Sequence, residues 1–317
     1  MMSGKKRTKR LAADAAGIAE AARVLAAGGL VAVPTETVYG LAARADNNEA
    51  VAAIYTAKGR PSFNPLIVHA ASLEAAQSLA MFNGMARELA QWAWPGPLTL
   101  VLPKRSDARL AEPVTAGLPT VAVRVPSHPV MRAVLDACGL PLAAPSANRS
   151  GGVSPTSAEH VLGSLDGRID LVLDAGTSPF GLESTIVAVR ADGSLDELRP
   201  GPVDLIAFAA KLRGATSGGG AAAIEAPGQL VRHYAPGKPM RLNAEEPDDD
   251  EFAIGFASSG AADCDLSPAG DLVEAAANLY ACLHLAAAAA KPRIAVSPIP
   301  AEGIGRAIND RLRRAAA

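Results

Sequence analysis

The 317-residue chain reads as an α/β protein: a twisted, mixed sheet flanked by helices, followed by a small second α/β domain. Three observations predict this. Short apolar runs recur between residues 30 and 189, with amphipathic helical patterns between many of them. Some of these runs adjoin without a helix, which argues against a purely parallel sheet. A stretch rich in Gly, Ala, Ser and Pro at 214–229 then breaks the pattern before a second βαβ-like unit.

Taken in order, residues 1–11 carry the one dense basic run (Lys5, Lys6, Arg7, Lys9, Arg10) and read as a disordered tail. The sharper reading of that run is a weak RNA-binding arm. Residues 12–27 predict an amphipathic helix that stops at Gly28-Gly29. Leu30 to Val33 predict a strand. Asp46 with Glu49 resembles a capping box opening a helix through Ala57. Strands are expected at 64–69, 98–102, 120–125, 171–173 and 185–189, and helices at 72–80, 84–93, 129–138 and 156–165. Thr156 with Glu159 reads as a second capping box. The first domain thus spans 12–213 and a linker spans 214–239. The second domain covers 240–317, with strands at MRLNA, 252–257 and IAVSPI, a long Ala-rich helix near 271–289 and a final helix from Gly303 to Arg314.

Composition narrows the function classes. Hydrophobic residues make up 49%, aromatics 4% and charged residues 20%, so the core is built from Ala, Val, Leu and Ile. A formal net charge of -2 provides no global attraction to nucleic acid. Cys138, Cys264 and Cys282 are far apart, so neither a disulfide framework nor a zinc knuckle is expected, and a reducing cytoplasm fits. Charges interrupt the first apolar stretch, so no signal peptide is read. The run Ala275 to Ala290 is short for a membrane span. A Walker-type phosphate loop, H-E-x-x-H and G-x-S-x-G are all absent. Gly303-Ile304-Gly305 is a fragment of a dinucleotide fingerprint, better read as a helix start.

Four polar clusters sit at strand ends, where α/β sheets build their sites. Pro34 to Gly40 (PTETVYG) offers hydroxyls and one carboxylate. Lys58-Gly59-Arg60 places two cations around a glycine, a pattern suited to a polyphosphate. By itself it reads more readily as a helix C-terminal Lys followed by a loop Arg, favourable to the helix dipole. Ser146 and Asn148, with Ser150 and Ser154 nearby, can hold phosphate or carboxylate oxygens, or simply form a turn and a helix cap. Glu183-Ser184-Thr185 and Arg199-Pro200-Gly201 form the fourth. His69 and Arg199 are unremarkable singly, but Arg124 inside the apolar run TVAVRVP needs an anionic partner.

In this order and spacing, PTETVYGL, KGRPSFNPLIVH, WPGPLTLVL, LPTVAVRVP, APSANRSGGVSPT, ESTIV and LRPG resemble the YrdC-like threonylcarbamoyl-AMP synthase family over residues 12–205. His233-Tyr234-Ala235-Pro236 and the terminal PIPAEGIGRAINDRLRRAA resemble its long form, which adds a Rossmann-like domain. The resemblance implies formation of threonylcarbamoyl-AMP and pyrophosphate from L-threonine, bicarbonate and ATP. A downstream threonylcarbamoyl transferase complex would then modify tRNA position 37. It further implies that Lys58, Arg60, Asn64, Thr120, Ala144 (through its backbone), Ser154 and Arg199 hold ATP, with Tyr234 as part of a lid. Thr35, His69, Arg124, Ser146 and Ser184 would hold threonine, and Asn148 belongs to the family's S-x-N signature. Mg²⁺ is expected on the phosphates, held largely by ATP and water, with Glu36 and Glu183 as candidate protein ligands. A monomer is expected. Two alternatives remain: a carbamoyl-transfer domain of hydrogenase maturation, disfavoured by the missing zinc-finger cysteines, and an RNA- or tRNA-binding module, disfavoured by the charge and the scarcity of aromatic platforms.

Overall fold

The structure is a computed structural model that describes residues 7–212, 217–218, 225–226, 233–258 and 262–317. Among these, the first domain contains β1 (Lys9–Ala12), α1 (Ala15–Ala26), β2 (Val31–Val33), β3 (Gly40–Arg44), α2 (Asn48–Lys58), β4 (Ile67–His69), α3 (Leu73–Gln77) and α4 (Gly84–Ala93). It continues with β5 (Leu98–Pro103), α5 (Glu112–Thr115), β6 (Thr120–Arg124), α6 (Pro129–Cys138), β7 (Leu142–Ala143), α7 (Ala158–Leu165), β8 (Leu171–Asp174), β9 (Thr185–Val189), β10 (Leu195–Arg199) and α8 (Leu205–Leu212). A two-residue strand β11 (Ser217–Gly218) lies in the linker. The second domain contains β12 (Met240–Leu242), β13 (Glu251–Gly255), β14 (Cys264–Asp265), α9 (Leu272–Ala288), β15 (Arg293–Val296) and α10 (Gly305–Ala316).

The first sheet has the order β1-β8-β2-β3-β7-β4-β6-β5-β9-β10-β11 and mixes parallel with antiparallel pairs. The second is fully parallel, in the order β12-β15-β13-β14. Alternation along each strand assigns its two faces. Ala32, Val68, Val121, Val123, Leu98, Leu100 and Val187 face one core under α2 and α4. On the opposite face, Val31, Val33, Ala42, Leu142 and Leu171 pack against α1 and α6 through Leu25, Met131 and Leu135. Beyond β7 that face changes character. Ile67, Ala122, Val101, Ile186, Ala188 and Leu198 form a small apolar floor. His69, Arg124, Thr99 and Ser184 stand in the same sheet region.

Several expectations change. Lys9 and Arg10 are not tail: β1 pairs in parallel with β8, and Arg10 meets Asp174 and Glu159 at 2.5 Å each. Of the remaining basic residues Arg7 is exposed, while Lys5 and Lys6 lie outside the described residues, as does most of the linker. Asn47, not Asp46, caps α2, accepting from Ala50 N at 2.8 Å, because Asp46 is taken by Arg44 at 2.7 Å. Ser157, not Thr156, caps α7. Cys264 and Cys282 are joined as a disulfide between β14 and α9, where the sequence suggested no pairing. The fold brings them together across a separation of 18 residues, which spacing alone does not reveal.

The second domain is packed onto the first. Its core includes Leu279, Tyr280, Leu283 and Ile308 together with Val38, Val153 and Leu182 of the first domain. Gly181 lies against the backbone of Ala276 and Ala277, His284 stacks on His160 with ring centroids 3.8 Å apart, and Arg306 reaches Glu197 at 2.5 Å. Among the described residues, no helix is long and apolar enough to cross a membrane.

Candidate active site

The four polar clusters converge on the apolar floor. Thr35, Thr37, Arg60, His69, Arg124, Ala144, Ser146, Glu183, Ser184, Arg199, His233 and Tyr234 line one cleft. Its free volume is only about 40 Å³, and Tyr234 from the linker is part of its lining.

Each element delivers its residue for a local reason. Helix α2 ends at Gly59 in the left-handed conformation (φ 61°), which turns the chain and aims Arg60 at the cleft. Arg60 is anchored by Asn64 and Pro65: Nε donates to Asn64 O at 3.1 Å, and Nη2 donates to Asn64 Oδ1 at 2.6 Å and to Pro65 O at 2.8 Å. Burial pulls its pKa down to about 10, and Arg199 adds to the effect. Lys58 lies beneath the lining. Its ammonium donates to Ser146 O and Asn148 O, both at 2.5 Å, and so fastens the S-x-N turn from below. Burial, reinforced by Arg60, lowers its pKa well below the usual lysine range. Asn148 also accepts from Ser146 Oγ at 2.6 Å.

Register across β4 and β6 pairs His69 with Arg124. Arg124 is buried, and the anionic partner that the sequence demanded is Glu36: Nη2 lies 2.6 Å from Oε1, while Nη1 donates to Thr37 Oγ1 at 3.0 Å. Glu36 also accepts from Ser127 N and His128 N. Burial pushes the Glu36 pKa up, but Arg124 and the Ser127 N–H outweigh it and hold the carboxyl at about 2. His69 is kept neutral, its pKa lowered to about 3 by burial and by Arg124. Thr35 caps its own turn, donating to Val38 O at 2.6 Å. Ser184 is held by Thr99 Oγ1 at 2.8 Å and by Arg199 Nη2 at 3.1 Å. Thr120 begins β6, roughly 13 Å from Arg124 at ~3.3 Å per residue, on the same face as Ala122.

Ser154, fully buried, donates to Glu183 Oε1 at 2.5 Å. The Glu183 carboxylate also accepts from Tyr280 OH at 2.8 and 3.0 Å and from Arg311 Nε at 2.8 Å. Both carboxylates considered as Mg²⁺ ligands are therefore already engaged by arginine, and no group of three His, Cys, Asp or Glu among the described residues could hold a metal. The described side chains do not fit a resident Mg²⁺ site. Sequence reasoning missed Thr37, Thr99, Tyr280 and Arg311. The hydroxyl of Thr37 was visible in its cluster, whereas Tyr280 and Arg311 carry no local signal.

Buried polar atoms in native proteins normally have partners. Here Asn64 Nδ2, His69 Nδ1, His233 Nδ1 and Tyr234 OH have none among the described residues, and the last three belong to residues lining the cleft. Three guanidiniums in the lining, with no hydroxyl among the described residues hydrogen-bonded to a cleft histidine, suit binding and charge neutralisation rather than nucleophilic attack by a side chain.

This fold and cleft define an α/β protein whose candidate site is lined by buried arginines. Residues 23–201 match the Sua5, YciO and YrdC family model, described as telomere recombination, and residues 202–317 match the threonylcarbamoyl-AMP synthase C-terminal domain. The threonylcarbamoyl-AMP synthase of Bacillus subtilis strain 168 is 44% identical over 246 residues, covering 76% of this chain and 70% of that one. That of Pyrococcus abyssi is 38% identical over 318 residues, covering 93% and 92%. A crystal structure of P. abyssi Sua5 complexed with L-threonine superposes with a TM-score of 0.87 at 36% identity, covering 98% of this chain and 97% of that one. The chain belongs to the threonylcarbamoyl-AMP synthase family.

Proposed function

We propose that this chain is an L-threonylcarbamoyladenylate synthase, a nucleotidyltransferase acting on L-threonine, bicarbonate and ATP. The observation that carries the reading is the cleft itself: converging buried arginines beside cleft residues whose polar atoms lack partners. The threonine amine adds to bicarbonate with loss of water to give a carbamate. A carbamate oxygen attacks the α-phosphorus, the bond from that phosphorus to the bridging oxygen breaks, and pyrophosphate leaves. Such a step needs positioning and charge neutralisation rather than a protein nucleophile.

Arg124, already built to hold one carboxylate, takes the threonine carboxylate, with Thr35, His69, Ser146 and Ser184 around it. Arg60 and Arg199 face the phosphates, and Lys58, Asn64, Asn148 and Ser154 hold the loops that shape their site. The apolar floor from Ile67 to Ile186 suits a nucleobase, with Thr120 at its far end and Ala144 offering backbone. A cavity of about 40 Å³ holds one or two waters, so Tyr234 moves aside to admit nucleotide and returns to exclude water from the adenylate. Mg²⁺ arrives on the ATP phosphates, held by them and by water. The product serves a threonylcarbamoyl transferase complex acting on tRNA.

Pyrophosphate release with each of ATP, L-threonine and bicarbonate omitted in turn tests this. Release that requires all three supports the reading. Absence of release from folded protein, with salt-dependent RNA binding instead, would replace it with a binding role.

A further inference from the structure

Glu183 is a carboxylate in a cleft read as a polyanion site, and it is only 6% exposed. Within the first domain it has a hydroxyl partner, Ser154. Arg199 of the first domain acts on Glu183 through its charge but spends Nε and Nη2 on Ser184. The ion-pair partner comes from the second domain. Arg311, midway along α10, is completely buried and donates from Nε to Glu183 Oε2 at 2.8 Å. Tyr280 of α9 donates to both oxygens of the same carboxylate. The guanidinium also lies 5.4 Å from the ring centroid of Tyr234, which in turn is 5.7 Å from the ring of Tyr280. A fully buried guanidinium joined to a buried carboxylate across two domains is costly to desolvate. It is therefore a poor choice for simple adhesion, which the apolar contacts around Leu279 and Ile308 already provide.

We propose that Arg311 is a positioning residue for catalysis: the second domain completes the nucleotide site by cancelling the charge of Glu183, so that the cleft accepts a triphosphate. Glu183 and Asp310 hold Arg311 in place, Nη1 donating to Asp310 Oδ2 at 2.8 Å, and Arg311 in turn presents a cationic face to the ring of Tyr234. Neither Arg311 nor Tyr280 lines the cleft, so both act through Glu183 and Tyr234. The small domain is then part of the active site rather than an appended binding module. The proposal rests on the nucleotide reading of the cleft.

The test is a charge-cancellation cycle on the full-length protein, with pyrophosphate release measured against ATP concentration. Wild-type release that depends on threonine and bicarbonate establishes the underlying reading, and its absence would sink that reading before the cycle begins. Arg311→Met should raise the KM for ATP about tenfold or more, with a smaller change in kcat, because an unpaired carboxylate then faces the phosphates. Arg311→Lys should recover part of the loss. The double variant Glu183→Gln with Arg311→Met removes both charges and should return the KM for ATP to within about threefold of wild type. A double variant as impaired as Arg311→Met would make Arg311 a structural fastener and overturn the proposal. If Arg311→Met does not fold, the isosteric Glu183→Gln decides: an unchanged or lowered KM for ATP supports charge cancellation, and a tenfold rise overturns it.

Discussion

Gly181→Ala probes the seating of the second domain without touching the cleft. Gly181 has φ +65°, and a Cβ placed there lies 2.5 Å from Ala276 O, Ala277 Cα and Ala277 O. All three are backbone atoms of α9, a 17-residue helix that does not yield locally. Left-handed strain for alanine costs ~1 kcal/mol, and overpacking against rigid backbone adds about 1–3 kcal/mol. The sum, roughly 2–4 kcal/mol, is a large part of an ordinary domain's margin. Relief requires α9 to move away by several tenths of an ångström. Tyr280 and His284 move with it, loosening the bonds to Glu183 and to Ser154 O. Gly28→Ala is the control: its φ is +84°, but nothing lies within 4 Å of the new Cβ, so it carries the strain alone. Urea unfolding and pyrophosphate release are measured on both. The expected result is a lower midpoint and slower release for Gly181→Ala than for Gly28→Ala. Equal midpoints and equal rates would refute the claim that close contact at Gly181 sets the domain geometry.

Three further outcomes are expected. Arg60→Ala should reduce pyrophosphate release by about 10²–10³-fold. It should also cost ~1–3 kcal/mol of stability, because Asn64 and Pro65 lose their donor; normal turnover would remove Arg60 from the mechanism. Tyr234→Ala should leave the fold standing while slowing synthesis and raising hydrolysis of the adenylate, measured as AMP formed per threonylcarbamoyl-AMP; an unchanged ratio would deny Tyr234 its closing role. Stability should fall with acidification. His69 and His233 are held neutral by burial with pKa values of about 3, below the ordinary 6.5, so the unfolded chain takes up protons first. Their contribution is complete above pH 6.5 and is lost as pH falls toward 3, each at up to about 1.4 kcal/mol per pH unit. Glu36 and Glu183, held at about 2 against 4.5, add a loss in the same direction below pH 4.5. Urea midpoints that do not change between pH 7.5 and 5 would contradict this.

The sequence by itself determined the α/β class, most strands and helices, and the clusters that meet in the cleft. These signals are local: β-branched runs such as TVAVR, amphipathic periodicity, and helix-ending glycines such as Gly28. Strand β3, GLAAR, escaped because glycine and alanine have little strand preference, and β10, LDELR, because its acidic residues look solvated. Only the tertiary structure decided which charges pair. Glu36 and Glu183 read as open metal ligands until Arg124 and Arg311 were placed beside them, the second from 128 residues away. Arg311 sits in a terminal helix whose basic residues resemble an exposed face, yet it is wholly buried. Periodicity records which face of an element is apolar. The partner of a buried charge depends on the packing of two domains, and the sequence around either residue does not encode that distance.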